Sequence, residues 1–300
     1  MSHEGRPLPL VSAAWLAAHL GTVTVLDATV ELPAPRFDGD YRVASGAAGW
    51  EAAHIPGARH ADLVDALSIP HPLTSFRHPE ADGLRASLAD LGVTADRPTV
   101  VYDRSDGFWA ARLWWMARAA GVPVMVLDGG WQAWQAIGAP VESGAAGVPA
   151  RWPSSPPPAA RSWPEAWVER EEVERIVAGA SSDHLVCALS EAVFAGRQPT
   201  RYARRGAIPG SRNLPARDLK TPDGRLASPD TLDALFSARL GAEAGRRERL
   251  ILYCGGGISA AYLALGLVVA GRDNVALYDN SLQEWSAVTH LPLICAPDAQ

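Results

Sequence analysis

Lysine is nearly missing from this 300-residue chain: Lys220 is the only one, in the polar turn Asp218-Leu219-Lys220-Thr221-Pro222. Schiff-base chemistry therefore has a single candidate, and a solvated turn is a poor place to lower an amine pKa. Cysteine is scarce as well. Cys187, Cys254 and Cys295 form no C-x-x-C pair and no even-numbered framework. That excludes a disulfide scaffold, fits a reducing compartment, and makes a cytoplasmic location the expectation. Positive charge is not in excess: 27 basic against 33 acidic residues leave a net charge of −6. Such a balance offers no broad footprint for phosphate backbones or anionic lipid, so neither nucleic acid nor a membrane is expected as a partner. Long apolar runs are also interrupted. Near the N-terminus, Glu4 and the lack of a basic cluster argue against an export signal, and Ser12 before Ala-Ala-Trp-Leu-Ala-Ala reads as an N-cap. The uncharged run from Leu250 to Gly271 could span a bilayer by length, but three consecutive glycines divide it into a buried strand, a tight loop and a buried helix. His54, His60, His71 and His78 lack close cysteine or carboxylate partners in sequence, so no metal and no cofactor is expected.

What is present is length for two domains and a repeat that joins them. At roughly 100–200 residues per domain, either half can bury its own core. A Pro- and Gly-rich stretch at 143–160 denies hydrogen bonds to both helix and sheet, and reads as a linker between domains at 1–142 and 161–300. Across it the halves match. His54-Ile55-Pro56-Gly57-Ala58-Arg59 corresponds to Ala207-Ile208-Pro209-Gly210-Ser211-Arg212. At nearly the same spacing, Val100-Val101-Tyr102-Asp103 corresponds to Ile251-Leu252-Tyr253-Cys254, and Leu127-Asp128-Gly129 with Trp134 to Tyr278-Asp279-Asn280 with Trp285. The chain reads as a tandem duplication. In the second copy, 184–189, 249–253 and 274–278 read as strands, and 228–240 and 259–270 as helices. Continuous apolar strands separated by helices predict two α/β domains, each a parallel sheet covered on both faces.

Cys254 is the residue most suited to chemistry. It follows a buried strand and precedes Gly255, Gly256, Gly257, Ile258 and Ser259 at the start of a helix. Parallel α/β sheets place their ligand crevice at the carboxyl ends of strands. Small residues let backbone N–H groups turn inward as an anion-holding nest, and the helix N-terminus adds partial positive charge. A thiolate, or a persulfide built on it, is stabilised in such surroundings.

The sequence Cys254-Gly255-Gly256-Gly257-Ile258-Ser259 resembles the active-site loop of tandem-domain rhodanese and 3-mercaptopyruvate sulfurtransferases. Ile-Pro-Gly in both copies, Leu127-Asp128-Gly129-Gly130-Trp131 in the first and Glu284-Trp285 in the second extend the resemblance over nearly the whole chain. It implies two tandem rhodanese-like domains, with only the second catalytic. Asp103 stands where the second copy has Cys254, as expected for a first domain that has lost its thiol. The implied reaction is ping-pong: Cys254 takes sulfane sulfur from a small donor, 3-mercaptopyruvate or thiosulfate, and passes it to cyanide, a small thiol or a thioredoxin-like acceptor.

The loop lacks the basic residues of thiosulfate-using members and is nearer the mercaptopyruvate type, with Gly256 where that type has a serine. The resemblance also implies an assisting histidine, His54, with an acid upstream, Asp38 or Asp40. The family's two substrate arginines are absent, since the corresponding stretches read Cys187-Ala188-Leu189 and Phe194-Ala195-Gly196. Arg197, Arg201, Arg204 and Arg205 are the candidates to replace them, set against an ordinary solvated loop. Cys187 could be a resolving thiol or an inert strand cysteine, and Cys295 has no assigned role. Two other chemistries fail on spacing. A Cys-x5-Arg phosphatase needs arginine where Ala260 stands, and a C-x-x-C redox site needs cysteine where Gly257 stands. The remaining alternative is a second domain that has drifted into a persulfide carrier or regulatory binding module.

Overall fold

The computed structural model describes residues 9–144 and 162–295. The expected linker at 143–160 lies outside the described residues except for Ser143 and Gly144. The first half runs β1 (Leu10–Val11), α1 (Ala13–His19), β2 (Thr24–Asp27), β3 (Val30–Glu31), β4 (Ala44–Ser45), α2 (Ala47–Ala52), β5 (Arg59–His60), α3 (Ala81–Asp90), β6 (Thr99–Tyr102), α4 (Phe108–Ala119), β7 (Met125–Leu127) and α5 (Gly130–Ala136). The second runs β8 (Trp167–Val168), α6 (Arg170–Val177), β9 (His184–Cys187), α7 (Glu191–Phe194), β10 (Arg212–Asn213), α8 (Pro229–Leu240), β11 (Leu250–Tyr253), α9 (Ile258–Val269), β12 (Val275–Tyr278) and α10 (Ser281–Ala287).

Two five-stranded sheets result, ordered β1-β7-β6-β2-β5 and β8-β12-β11-β9-β10, and every pairing within them is parallel. The strand order is the same in both halves, so the duplication read from short motifs extends to topology. β2, β6, β11 and β12 are buried along their whole lengths, which is why β11 and β12 read as unbroken apolar runs. Ser12 caps α1 by accepting the Trp15 N–H at 3.1 Å.

Repeated residues keep repeated jobs. Tyr102 Oη accepts the Ile55 N–H at 3.3 Å, and Tyr253 Oη accepts the Ile208 N–H at 3.1 Å, so each Ile-Pro-Gly turn is tied to the strand before the candidate loop. Trp134 Nε1 donates to the Pro140 carbonyl at 2.9 Å and Trp285 Nε1 to the Pro292 carbonyl at 2.8 Å. The two tryptophans pin each domain's last helix to its tail.

The halves meet through α4 and α9, which lie buried almost all round. A helix apolar on every face needs cover on every face, and here each central helix lies between its own sheet and the other domain. The uncharged run from Leu250 to Gly271 is thus β11, a loop and α9, and no helix among the described residues is long and apolar enough to cross a membrane.

Candidate active site

Cys254 stands one residue beyond β11, with only 2% of its surface exposed. The chain around it is held by hydrogen bonds to the 281–283 segment. Its N–H donates to Ser281 Oγ at 3.1 Å, its carbonyl accepts the Leu282 N–H at 3.1 Å, and the Gly255 carbonyl accepts the Gln283 N–H at 2.8 Å. Ser281 sits at φ 49°, a left-handed conformation rare for a residue with a Cβ, while its hydroxyl also donates to the Tyr278 carbonyl at 2.8 Å. The first repeat has Gly130 at the same place, φ 54°. The strain accepted at Ser281 provides a hydroxyl that clamps the start of the Cys254 loop.

The two loops differ in what their amides face. In the first repeat the Asp103 carboxyl accepts N–H bonds from Ser105 (2.9 Å), Gly107 (2.9 Å), Trp109 (3.0 Å) and Ala110 (2.9 Å). Burial and nearby Asp27 push this carboxyl up, and the amides pull it back. In the second repeat the N–H groups of Gly255, Gly256, Gly257, Ile258 and Ser259 find no acceptor among the described residues. The turn between strand and helix is thus filled by a carboxyl group in one copy, while in the other, one residue shorter, its N–H groups have no acceptor among the described residues.

Beneath the loop lies a contact between domains that sequence reasoning missed. Arg112, on α4, pairs with Asp279 at 2.5 Å; the two side chains are 1% and 7% exposed. Arg112 also donates to the Phe76 carbonyl at 2.6 Å, and Asp279 accepts the His78 N–H at 3.0 Å. Burial alone would raise the Asp279 carboxyl, but the Arg112 guanidinium holds it below its ordinary value. A Cβ on Gly257, at φ +81°, would lie 2.8 Å from Arg112 Nη1 and 2.9 Å from Asp279 Oδ1, so the loop rests directly on this pair. The first-domain counterpart of Asp279 is Asp128, which likewise reaches across, accepting the Leu226 N–H at 2.9 Å. The repeat alignment carried both aspartates and could have flagged them.

A cavity of about 1460 Å3 opens over Cys254 between the domains. The first domain contributes the 29–35 and 41–44 stretches with Phe76 and Arg104–Asp106; the second contributes Ala188–Glu191, Gln198–Tyr202, Cys254–Gly256, Ile258, Ser259 and Gln283 among others. Tyr202 presents its ring edge 3.1 Å from where a Cβ on Gly255 would be. Burial, with the neighbouring Cys187 and Cys254 thiols, pushes its phenol well above the usual range. Gln283 Oε1 accepts the Ser75 N–H at 3.3 Å and lies 2.6 Å from a Cβ position on Gly256.

The other sequence candidates disperse. His54 does not line the cavity. It is wholly buried, with Nδ1 2.8 Å from the Trp50 carbonyl, its ring stacked on Trp50 and Nε2 3.7 Å from Glu142. Asp40 accepts the Arg36 N–H at 2.8 Å, Arg42 Nε at 2.8 Å and Arg36 Nε at 3.1 Å, which lowers its carboxyl to about 2 and fixes the 36–42 loop. Asp38 pairs with Arg205 across the domains at 2.9 Å. Arg204 donates to the carbonyls of Ser286, Trp285, Val288 and Leu291, fastening the end of α10. Arg197 meets Glu191 at 3.4 Å on the surface. Of the four arginines only Arg201 lines the cavity, where it donates to the Leu32 and Pro33 carbonyls and its Nε is buried without a partner. Arg42, Arg104, Arg217 and Arg239 line it too, and the sequence reading had not singled them out. Cys187 does not fit a resolving role: it is fully buried on the opposite face of the sheet from Cys254, and burial pushes its thiol up to about 12.

A duplicated parallel α/β protein with one loop thiol between its domains defines a recognisable class. A family model, the Rhodanese-like domain, matches residues 12–137 and 188–288. The chain is 33% identical over 293 residues to the 3-mercaptopyruvate sulfurtransferase of Escherichia coli K12, covering 94% of this chain and 96% of that one. It is 31% identical to the thiosulfate sulfurtransferase of Mus musculus, covering 95% and 94%. The crystal structure of SseA from Escherichia coli superposes with a TM-score of 0.72 at 29% identity, over 92% of this chain and 99% of that one. The chain belongs to the rhodanese family, as a two-domain enzyme of the sulfurtransferase type.

Proposed function

We propose that the chain transfers sulfane sulfur through a persulfide on Cys254, with 3-mercaptopyruvate preferred to thiosulfate as donor and cyanide, a small thiol or a thioredoxin-like protein as acceptor. The observation that carries this reading is the contrast between the repeats. Asp103 shows how many N–H groups this turn can aim at one group, and at Cys254 the corresponding donors have no protein acceptor. A terminal sulfur on Cys254 is an anion of the size and position such donors suit.

The Cys254 thiolate attacks the outer sulfur of the donor, the bond from that sulfur to the rest of the donor breaks, and the persulfide rests among the loop amides until a nucleophile removes the sulfur. Arg201, with its unpartnered Nε, faces the donor's negative charge from the cavity wall. The preference for mercaptopyruvate follows from a loop without basic residues, which gives no local counter-charge to a thiosulfate dianion. Three free thiols support a reducing, cytoplasmic setting. Incubation with either donor followed by intact-mass measurement should show a gain of one sulfur atom that Cys254→Ser abolishes. No adduct from either donor would overturn the reading and favour a binding module.

A further inference from the structure

The two donors leave different things behind. When thiosulfate gives up its outer sulfur an S–S bond breaks and the electron pair departs on sulfite, a stable anion. When mercaptopyruvate does so a C–S bond breaks and the pair departs on carbon, as an enolate that must take a proton. The loop that binds the sulfur has no acid to give, because Gly255, Gly256 and Gly257 follow Cys254. His54 is buried away from the cavity against Trp50 and Glu142. Three of the four cavity carboxylates pair with cations, Asp106 with Arg217, Glu191 with Arg197 and Asp218 with Arg239, and the fourth, Glu31, is exposed on β3 in the first domain. Ser259 lines the cavity at the start of α9, but a serine hydroxyl is too weak an acid to act without a second acid behind it.

Two phenols line the cavity, Tyr41 and Tyr202, and Tyr202 is the one that lies against the Cys254 loop. It lines the same cavity, its ring edge lies against the loop at Gly255, and its phenol is kept in the neutral, proton-bearing form by burial and by the two neighbouring thiols. We propose that Tyr202 Oη donates the proton to the carbon that leaves when sulfur is taken from a carbon-bound donor. As the Cys254 sulfur bonds to the donor sulfur, the C–S bond breaks, the electron pair moves to carbon, and the Tyr202 O–H protonates it to give pyruvate. The tyrosinate regains its proton from the S–H of the new persulfide, which leaves a persulfide anion among the loop amides. The balance is one thiolate and one mercaptopyruvate giving one persulfide anion and one pyruvate, with no outside oxidant or reductant. This inference rests on the persulfide reading above.

The test is Tyr202→Phe, which keeps the ring against Gly255 and removes only the hydroxyl. Single-turnover loading of Cys254 is followed by intact mass with each donor. With mercaptopyruvate the rate should fall by about 100-fold or more, the range of a lost general acid. With thiosulfate it should stay within about threefold of the parent, since sulfite needs no proton to leave. An unchanged mercaptopyruvate rate, or an equal loss with both donors, would overturn the assignment; the second result would make Tyr202 a wall of the loop. Failure of the underlying reading looks different: the parent protein would then load from neither donor.

Discussion

Replacing Arg112 by Met tests whether the first domain holds the Cys254 loop in shape. Met keeps much of the apolar length within α4, so the change removes chiefly the guanidinium and its bonds to Asp279 and the Phe76 carbonyl. The Asp279 carboxylate would remain between the domains with the His78 N–H as its surviving donor. Stranding one partner of a buried pair costs about 3–5 kcal/mol, several times the ~1 kcal/mol of an ordinary hydrogen bond. Asp279→Asn should cost a similar amount by stranding the guanidinium. The double variant should recover much of either loss, because both charges go together. Urea unfolding followed by tryptophan fluorescence reads the stabilities, and single-turnover loading of Cys254 reads the loop, which rests on the pair at Gly257. Loosening that support should slow loading about tenfold or more. The acid response gives a further check. In the parent, Asp279 is held below its ordinary 3.8, so its contribution is full above that pH and is lost as pH falls further. Without Arg112, burial is opposed chiefly by the His78 N–H and the Asp279 carboxyl rises, so acid should relieve the variant's deficit. A single-variant cost under about 1 kcal/mol with strictly additive double-variant behaviour would refute the reasoning.

Ser281→Ala should be more harmful than Ser281→Gly by about 1 kcal/mol in urea unfolding, because alanine keeps the strain at φ 49° while losing the hydroxyl clamp, and glycine relieves that strain. Gly257→Ala should destabilise by about 1–3 kcal/mol and slow loading, whereas Gly210→Ala, at φ +76° with open space around its Cβ, should cost backbone strain alone. Cys187 should resist iodoacetamide at pH 8 in the folded protein while exposed Cys295 reacts, as peptide mapping would show. Since the folded Cys187 thiol keeps a proton that the unfolded chain releases near 9.0, stability should decline as pH rises from 9.0 towards about 12.

Topology was legible because duplication writes it twice. Tyr102 with Ile55 and Tyr253 with Ile208 are local tethers, and residues that perform the same bond in two places remain similar in two places. Cys254 and its glycines were legible for a related reason: a thiol after an apolar strand and before a helix has few geometries open to it. The counter-charges were not. Arg197, Arg204 and Arg205 neighbour Arg201 in sequence, yet one pairs on the surface, one fastens α10 and one crosses to Asp38. Closeness along a loop does not say which way each side chain leaves it. Arg112 was hidden differently, in a helix whose apolar pattern is that of a buried segment, and only the packing of α4 against α9 shows that its charge ends on Asp279.

The first domain therefore does more than repeat the second. It fills the turn with its own Asp103 carboxyl, which satisfies the N–H groups there. The second leaves the equivalent amides without a protein acceptor, which costs stability wherever the N–H groups are poorly solvated. That cost can be borne because the loop is braced from outside: by Ser281 at its start, by Gln283 against Ser75 of the first domain, and by Asp279 held on Arg112. Two of these three braces reach the other repeat. A second domain cut from the first would lose Arg112 and Ser75 together, so the thiol-bearing loop depends on the copy that holds Asp103 in the thiol's place.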